Sequence, residues 1–287
     1  MSEPLVEQAP AKINLTLRVL GRRADGYHEL ESLVAFAGDV ADRLTLEPGE
    51  GVSLEVSGPY AVACGAGADN LVLKAHAALC GRVPGLKAGR FLLDKQLPVA
   101  AGIGGGSADA AAALRLLARA NRWSHSDARL AAAALAVGAD VPVCLDPAAR
   151  IMRGIGEQLS VPLALPRLPA VLVNPGVPLA TRDVFAAFAG KPGSKNELGT
   201  PPNDAAAAIE FLARYGNDLT EAAIACAPVI SDVLAVLDAL PGVKLARMSG
   251  SGPTCFAVFG SQAEAQAAAR ELAGDRKAWW VRAAVLG

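Results

Sequence analysis

Four glycines in five residues, Gly102, Gly104, Gly105 and Gly106, stand between a short apolar run (residues 91–97) and a long one rich in Ala, Leu and Arg (residues 108–120). The order reads as strand, glycine loop, helix. Each glycine loses more chain entropy on folding than any other residue, so a bland flexible loop of this density would be costly with no packing gain. In Pro98-Val99-Ala100-Ala101-Gly102-Ile103-Gly104-Gly105-Gly106-Ser107-Ala108, missing Cβ atoms let successive backbone N–H groups turn toward an anion. A helix beginning near Ser107, itself a good N-cap, adds free N–H donors and the positive end of its dipole. Polyphosphate binding follows from the two features together. Neither common phosphate motif fits: no Lys follows the glycines as G-x-x-x-x-G-K-[ST] requires, and a G-x-G-x-x-G begun at Gly102 would need glycine where Ser107 stands. A nicotinamide-dependent oxidoreductase is therefore disfavoured.

The chain has 287 residues, a length that suggests about two domains. Apolar residues make up 52% and charged residues 19%, enough to bury a sizeable core. Lys and Arg number 27 against 28 Asp and Glu, a net charge of -1 that offers no basic excess to hold nucleic acid or an anionic membrane. An anionic small substrate would then need local positive groups and backbone dipoles. The five cysteines are scattered without a C-x-x-C pair, which argues against a zinc knuckle or redox dithiol and for idle thiols in a reducing compartment. The first residues, MSEPLVEQAPAK, contain no apolar signal-peptide core, and no stretch approaches the ~20 apolar residues of a membrane span. The expected location is cytoplasmic.

Residues 13–20 alternate apolar and polar as a half-buried strand, followed by a polar turn at 21–26. Further strands are expected at 43–47 and 52–56, with helices at 70–79 and 127–137. Prolines become frequent from Val161-Pro162 to Pro202, which places a domain boundary there and divides the chain into 1–160 and 161–287. Residues 189–203 read as a surface loop. A helix at 221–240, in which Pro228 can place a bend, then a strand at 243–248, a glycine turn, a strand at 255–259, a helix at 262–273 and a strand at 279–285 suggest a small α+β sandwich.

Phosphoryl transfer to an alcohol needs positioning, neutralisation of phosphate charge and an acceptor for the hydroxyl proton. Asp140, in Gly138-Ala139-Asp140-Val141-Pro142, is either a turn residue at a helix end or a placed base. Lys12, in Pro10-Ala11-Lys12-Ile13-Asn14, is either a solvated strand-edge lysine or a group that holds the transferring phosphoryl and keeps an aspartate ionised. Met248-Ser249-Gly250-Ser251-Gly252-Pro253-Thr254 is either a tight hairpin or a second source of N–H donors. Tyr27 and His28, near Gly26, are structural or stack on and hydrogen-bond a base.

Residues 10–15, 97–111 and 249–254 resemble the three signature motifs of the GHMP kinases (galactose, homoserine, mevalonate and phosphomevalonate kinases). Arg23-Ala24-Asp25-Gly26-Tyr27-His28-Glu29-Leu30, with residues 138–142, narrows the resemblance to members whose acceptor is a cytidine-diphosphate-linked sugar alcohol, in non-mevalonate isoprenoid precursor synthesis. The resemblance implies an α+β fold of two domains, a ribosomal protein S5 domain 2-like unit followed by a ferredoxin-like unit. It further implies ATP with Mg²⁺, Lys12 and Asp140 as catalytic residues, and residues 98–108 on the ATP phosphates. Asn70 and Lys95 would lie near the adenine. Tyr27 and His28 would hold the cytosine with help from Asn14, and Thr181 and Phe185 would close the site. Asp140 would take the proton of the acceptor's 2-hydroxyl. Ala108 stands where many relatives carry a second serine, which removes a hydroxyl ligand for Mg²⁺. Asn217-Asp218-Leu219-Thr220 resembles a family segment but ends in Thr220, and no role attaches to it. Within the family a homoserine or mevalonate type is the alternative, and outside it a non-catalytic nucleotide-binding module.

Overall fold

The protein is described from a computed structural model over residues 3–190 and 197–287; residues 191–196 of the expected 189–203 loop lie outside the described residues. Along the chain the N-terminal elements are β1 (Leu5–Asn14), β2 (Arg18–Arg22), β3 (His28–Gly49), β4 (Ser53–Ser57), α1 (Ala61–Cys64), α2 (Leu71–Cys80) and β5 (Ala88–Asp94). Next come α3 (Gly105–Ala120), α4 (Ala128–Val137), α5 (Val141–Leu145), β6 (Arg150–Gly154), β7 (Gln158–Leu159) and β8 (Leu168–Asn174). The remainder is α6 (Thr181–Ala187), α7 (Ala205–Ala213), α8 (Thr220–Cys226), α9 (Val229–Asp238), β9 (Val243–Met248), β10 (Cys255–Phe259), α10 (Gln262–Asp275) and β11 (Trp280–Leu286).

The chain divides into two compact units that interleave in sequence. The first comprises Met1–Ala11, Ala41–Val99 and Gly104–Pro147, and the second Lys12–Val40, Ala100–Ile103 and Ala148–Gly287. The last passage between them falls at Pro147, before the proline-rich stretch that marks residue 161 in the sequence. The earlier passages, including the four residues 100–103, leave no compositional trace.

In the first unit β4 runs parallel to β5, and β5 pairs antiparallel with residues 43–49 of β3. Helices α2, α3, α4 and α5 pack among themselves. Helix α3 is nearly all buried, and its alanines at 108 and 110–113 let neighbouring backbones approach closely. Its one buried arginine, Arg115, is satisfied on every side: it donates to Glu7 Oε2 at 2.9 Å and to the carbonyls of Gln8 and Cys144, each at 2.7 Å. A buried guanidinium is tolerated only with such complete pairing.

In the second unit β11, β8, β10 and β9 lie side by side in that order, all antiparallel. With helices between β8 and β9 and between β10 and β11, this is the ferredoxin-like arrangement expected of the C-terminal half. Val171, Val173, Ile230, Val233, Leu237, Met248, Ala257, Phe259 and Leu272 form its core; full burial of each of these side chains other than Ala257 contributes roughly 1.5–3 kcal/mol. The helix expected over 221–240 is two helices. Pro228 lacks an N–H and its ring opposes the preceding turn, so α8 ends at Cys226 and α9 begins at Val229 with Pro228 as its N-cap.

Strand β8 escapes a periodicity search because it is buried on both faces and reads as a continuous apolar run. Its Pro169 sits opposite Val285 of β11, while the ladder to β10 starts at Ala170, so the missing N–H interrupts no central pairing. The same double burial hides residues 31–37 of β3.

Candidate active site

The three sequence motifs, separated by some ninety and some 150 residues, meet in the second unit. The backbone N–H of Lys12 donates to Ile103 O at 2.9 Å, and that of Asn14 to Ser249 Oγ at 3.0 Å. Ser249 Oγ in turn donates to Gly102 O at 3.0 Å, and Thr254 N–H donates to Ala101 O at 3.2 Å. One hydroxyl thus joins the first motif to the other two. Glycine is required at the contact: a Cβ on Gly102, whose φ is +72°, would lie 2.6 Å from Ser249 O and 2.7 Å from Gly252 O.

The third turn is held from behind by Asn217, whose Nδ2 donates to Met248 O at 2.9 Å and Gly250 O at 2.7 Å. Asp218 accepts the Val19 N–H at 2.8 Å. The segment to which the sequence assigns no role is therefore the brace of the third motif, and its own resemblance to a family segment was the available signal. The Asn14 side chain donates to Ser32 Oγ at 2.7 Å, while its Oδ1 is buried with no hydrogen-bond partner.

Lys12 lies in β1 with its side chain buried, 4% exposed, so it is not a solvated strand-edge lysine. Asp140, in the first unit, is half-buried immediately before α5, with Pro142 in that helix's first turn; its carboxylate does not cap α5. It lies at a helix start rather than at the end of α4, because Gly138 and Ala139 separate the two helices.

The helix after the glycine loop begins at Gly105, with Gly104 as a left-handed N-cap (φ 63°). Ser107 is consequently inside the first turn, not the cap. Without a side-chain cap, the amides of the first turn stay uncommitted, and Gly106 is exposed while Ser107 is half-buried. Such a terminus presents N–H donors and a positive dipole end to an anion. Within the loop Val99 is exposed, Ala100 has positive φ (52°), and Ala101, Ile103 and Ala108 are buried.

Asn70 and Lys95, expected near a bound adenine, have other employment. Asn70 caps α2, its Oδ1 accepting the Val72 N–H at 2.9 Å and its Nδ2 donating to Gly65 O at 2.8 Å. Lys95 is 2% exposed, its ammonium enclosed by Asp42 Oδ2 and Asp109 Oδ2, both at 2.5 Å. Its ammonium is committed to these two carboxylates. Burial opposes the charged Lys95, but the two carboxylates more than offset it and raise its pKa. Burial also raises the Asp109 carboxyl, with Asp42 adding to the effect.

In the second unit Tyr27 is 61% exposed at the tip of the β2–β3 hairpin. Beside it the His28 ring stacks on Phe185 (centroids 5.0 Å, 23° between planes) and meets Phe188 edge-on at 6.0 Å. Burial, with the Arg22 charge adding to it, lowers the His28 pKa and favours the neutral imidazole. Thr181 Oγ1 is 2.9 Å from Ser251 Oγ in the third motif. Three of the residues expected around the acceptor substrate, Thr181, His28 and Phe185, thus fall into two contacts, one a polar hydroxyl pair and one of stacked rings. Phe188 was missed because nothing in the local pattern distinguishes it from an ordinary core residue.

No group of three or more His, Cys, Asp or Glu side chains that could hold a metal ion occurs among the described residues, and none of their helices is long and apolar enough to cross a membrane.

The GHMP kinases N terminal domain family matches residues 70–147, and the GHMP kinases C terminal family matches residues 201–276. The chain is 58% identical to the 4-diphosphocytidyl-2-C-methyl-D-erythritol kinase of Rhodopseudomonas palustris (strain BisB5), covering 98% of this chain and 99% of that one. Among solved structures it is similar to a 4-(cytidine 5'-diphospho)-2C-methyl-D-erythritol kinase, with 38% identity, a TM-score of 0.77 and 99% of each chain covered. A homoserine kinase from Cytophaga hutchinsonii shares the fold at 20% identity, with a TM-score of 0.75 over 99% of this chain and 95% of that one.

Proposed function

This chain belongs to the GHMP kinase family, and on that premise we propose that it transfers the γ-phosphoryl group of ATP to the 2-hydroxyl of 4-diphosphocytidyl-2-C-methyl-D-erythritol, a step of non-mevalonate isoprenoid precursor synthesis. The observation that carries the reading is the meeting of residues 12–14, 101–103 and 249–254 through Ser249. Relatives of that name over almost the full length of the chain support the choice of acceptor.

In this reading the free amides at the start of α3 hold the phosphates of ATP. Asp140 accepts the proton of the 2-hydroxyl as its oxygen attacks the γ-phosphorus, and the bond from that phosphorus to the ADP oxygen breaks. Lys12 stabilises the negative charge on the transferring group. Tyr27 and His28 hold the cytosine, with Phe185 behind the imidazole, while Asn14 and Thr181 offer polar contacts to the rest of the acceptor. Asn70 lies toward the adenine. Mg²⁺ would enter with ATP, since this ion is commonly held by one or two side chains plus the phosphates rather than by a protein cage. Bound there it would neutralise phosphate charge, and the Ser107 hydroxyl in the first turn of α3 would be a residue able to hold it. The reading places the enzyme in the cytoplasm.

Coupled assay of ADP release on a panel of alcohols tests the assignment. ATP-dependent turnover is expected with the cytidine diphosphate substrate and not with homoserine or mevalonate. The reverse pattern would reassign the acceptor, and release with none of them would favour a binding module.

A further inference from the structure

The first unit contains a buried charge cluster that the proposed reaction does not use. Lys95, Asp42 and Asp109 are 2%, 0% and 2% exposed, and the ammonium lies 2.5 Å from one oxygen of each carboxylate. Three such groups are costly to remove from water, and an apolar trio of similar size would fill the same volume. Their connections indicate what the cluster supports. The other Asp42 oxygen accepts the N–H groups of Gln96 at 2.6 Å and Leu97 at 2.8 Å, the residues that lead into the glycine loop. Asp109 lies one turn into α3, the helix that leaves it. The Lys95 ammonium joins these two carboxylates, donating to one oxygen of each.

The helix start rests directly on this link. A Cβ added to Gly105 would be 3.3 Å from Lys95 Nζ and 3.5 Å from the Leu97 Cβ, so the first residue of α3 packs closely against the ammonium. A Cβ added to Gly106 would likewise come within 3.2 Å of Leu71 Cδ1. An ammonium beneath the positive end of a helix dipole is unfavourable without compensating negative charge, which the Asp42 and Asp109 oxygens at 2.5 Å provide between them.

We propose that Lys95 is a positioning residue for the phosphate-binding helix start: through Asp42 on one side and Asp109 on the other it clamps the incoming strand end to the outgoing helix and so fixes the direction of the amides of residues 104–107. The role is distinct from contact with the nucleotide. It rests on the reading that these amides receive the phosphates of ATP.

Two variants at one position test the clamp. Asp109→Asn keeps an oxygen that accepts from Lys95, whereas Asp109→Ala cannot reach it. The KM for ATP and the calorimetric Kd for ADP should rise at least tenfold in Asp109→Ala and stay within threefold of wild type in Asp109→Asn. The KM for the alcohol acceptor should change less than twofold in both. Unchanged nucleotide constants in a folded Asp109→Ala protein would overturn the clamp, as would equal loss of affinity for both substrates, because a purely structural role lowers stability without selecting the nucleotide. If Asp109→Ala does not fold, the shorter Asp109→Thr takes its place with the same expectations; failure of both to fold would also defeat the proposal. The calorimetric arm needs no turnover, so an absence of kinase activity in the wild-type protein would sink the proposed reaction and leave ADP affinity to decide the clamp.

Discussion

Gly102 and Gly250 face each other across the junction of two distant glycine turns, so closely that a Cβ on Gly250 would lie 2.8 Å from the carbonyl oxygen of Gly102. Both have left-handed backbones, with φ of +72° and +56°. The glycines here serve approach between backbones: they let the Ser249 hydroxyl reach Gly102 O while its oxygen accepts from the Asn14 N–H. The glycines at 104–106 serve the helix start instead. One glycine-rich segment therefore performs two physical tasks, divided at Ile103.

Gly102→Ala should be strongly destabilising. Backbone strain of this kind is worth about 1–3 kcal/mol, and the new methyl would overlap the carbonyls of Ser249 and Gly252. Thermal unfolding followed by circular dichroism should show a Tm lower by roughly 4 °C or more. Gly67→Ala, where an added Cβ meets nothing within 4 Å, should unfold with wild type. Equal Tm values for the two variants would refute the account of the junction.

Asp140→Asn keeps the shape of the side chain before α5 and removes its basicity. General-base assistance is typically worth about 10²–10⁴-fold, so turnover should fall by at least about 10²-fold while ADP affinity stays within twofold, measured by coupled assay and calorimetry. A residual rate above about a tenth of wild type would remove Asp140 from that role.

Tyr27→Ala should act on the other substrate. The ring is largely exposed, so its removal leaves the fold intact, and loss of base stacking is worth about 1–3 kcal/mol. The KM for the cytidine substrate should rise at least fivefold with the KM for ATP unchanged. Equal effects on both would argue against a stacked cytosine.

Much of this was legible in the sequence, and the gaps have physical causes. The strand, loop and helix around Gly102 could be read because glycine density and an Ala-rich run are local signals. Likewise α10 and β11 carry ordinary amphipathic patterns. Strands β8 and the first half of β3 were hidden by burial on both faces. Helix α7 has an ordinary cap, the Asp204 carboxylate accepting the Ala207 N–H at 2.9 Å, but the prolines just before it mask that signal in the sequence. The place of Lys95 near the adenine comes from the family resemblance and from no local pattern. The partners of its ammonium, Asp42 and Asp109, are 53 and 14 residues away and become neighbours only through packing. No spacing rule connects three charges on a strand, just past the end of another strand, and on a helix.

The stacked pair of His28 and Phe185 makes a prediction about pH. Burial, then the Arg22 charge, lowers the imidazole pKa from its ordinary value of 6.5. Between that lowered value and 6.5 the unfolded chain binds more protons at this residue than the folded one, so stability rises with pH through the window and is lost as pH falls toward the folded pKa. Above 6.5 the contribution is complete. Phe185→Ala removes the ring that covers the imidazole and should return the His28 pKa upward, toward 6.5. The imidazole resonances followed by NMR from pH 8 to 4.5 report this directly: the wild-type midpoint should lie below 6.5 and that of Phe185→Ala above the wild-type value. If the neutral ring is the form that packs against cytosine, the KM for the cytidine substrate should rise as pH drops through the same midpoint while the KM for ATP does not follow it. A midpoint unmoved by Phe185→Ala would show that the aromatic partner does not set the histidine's charge.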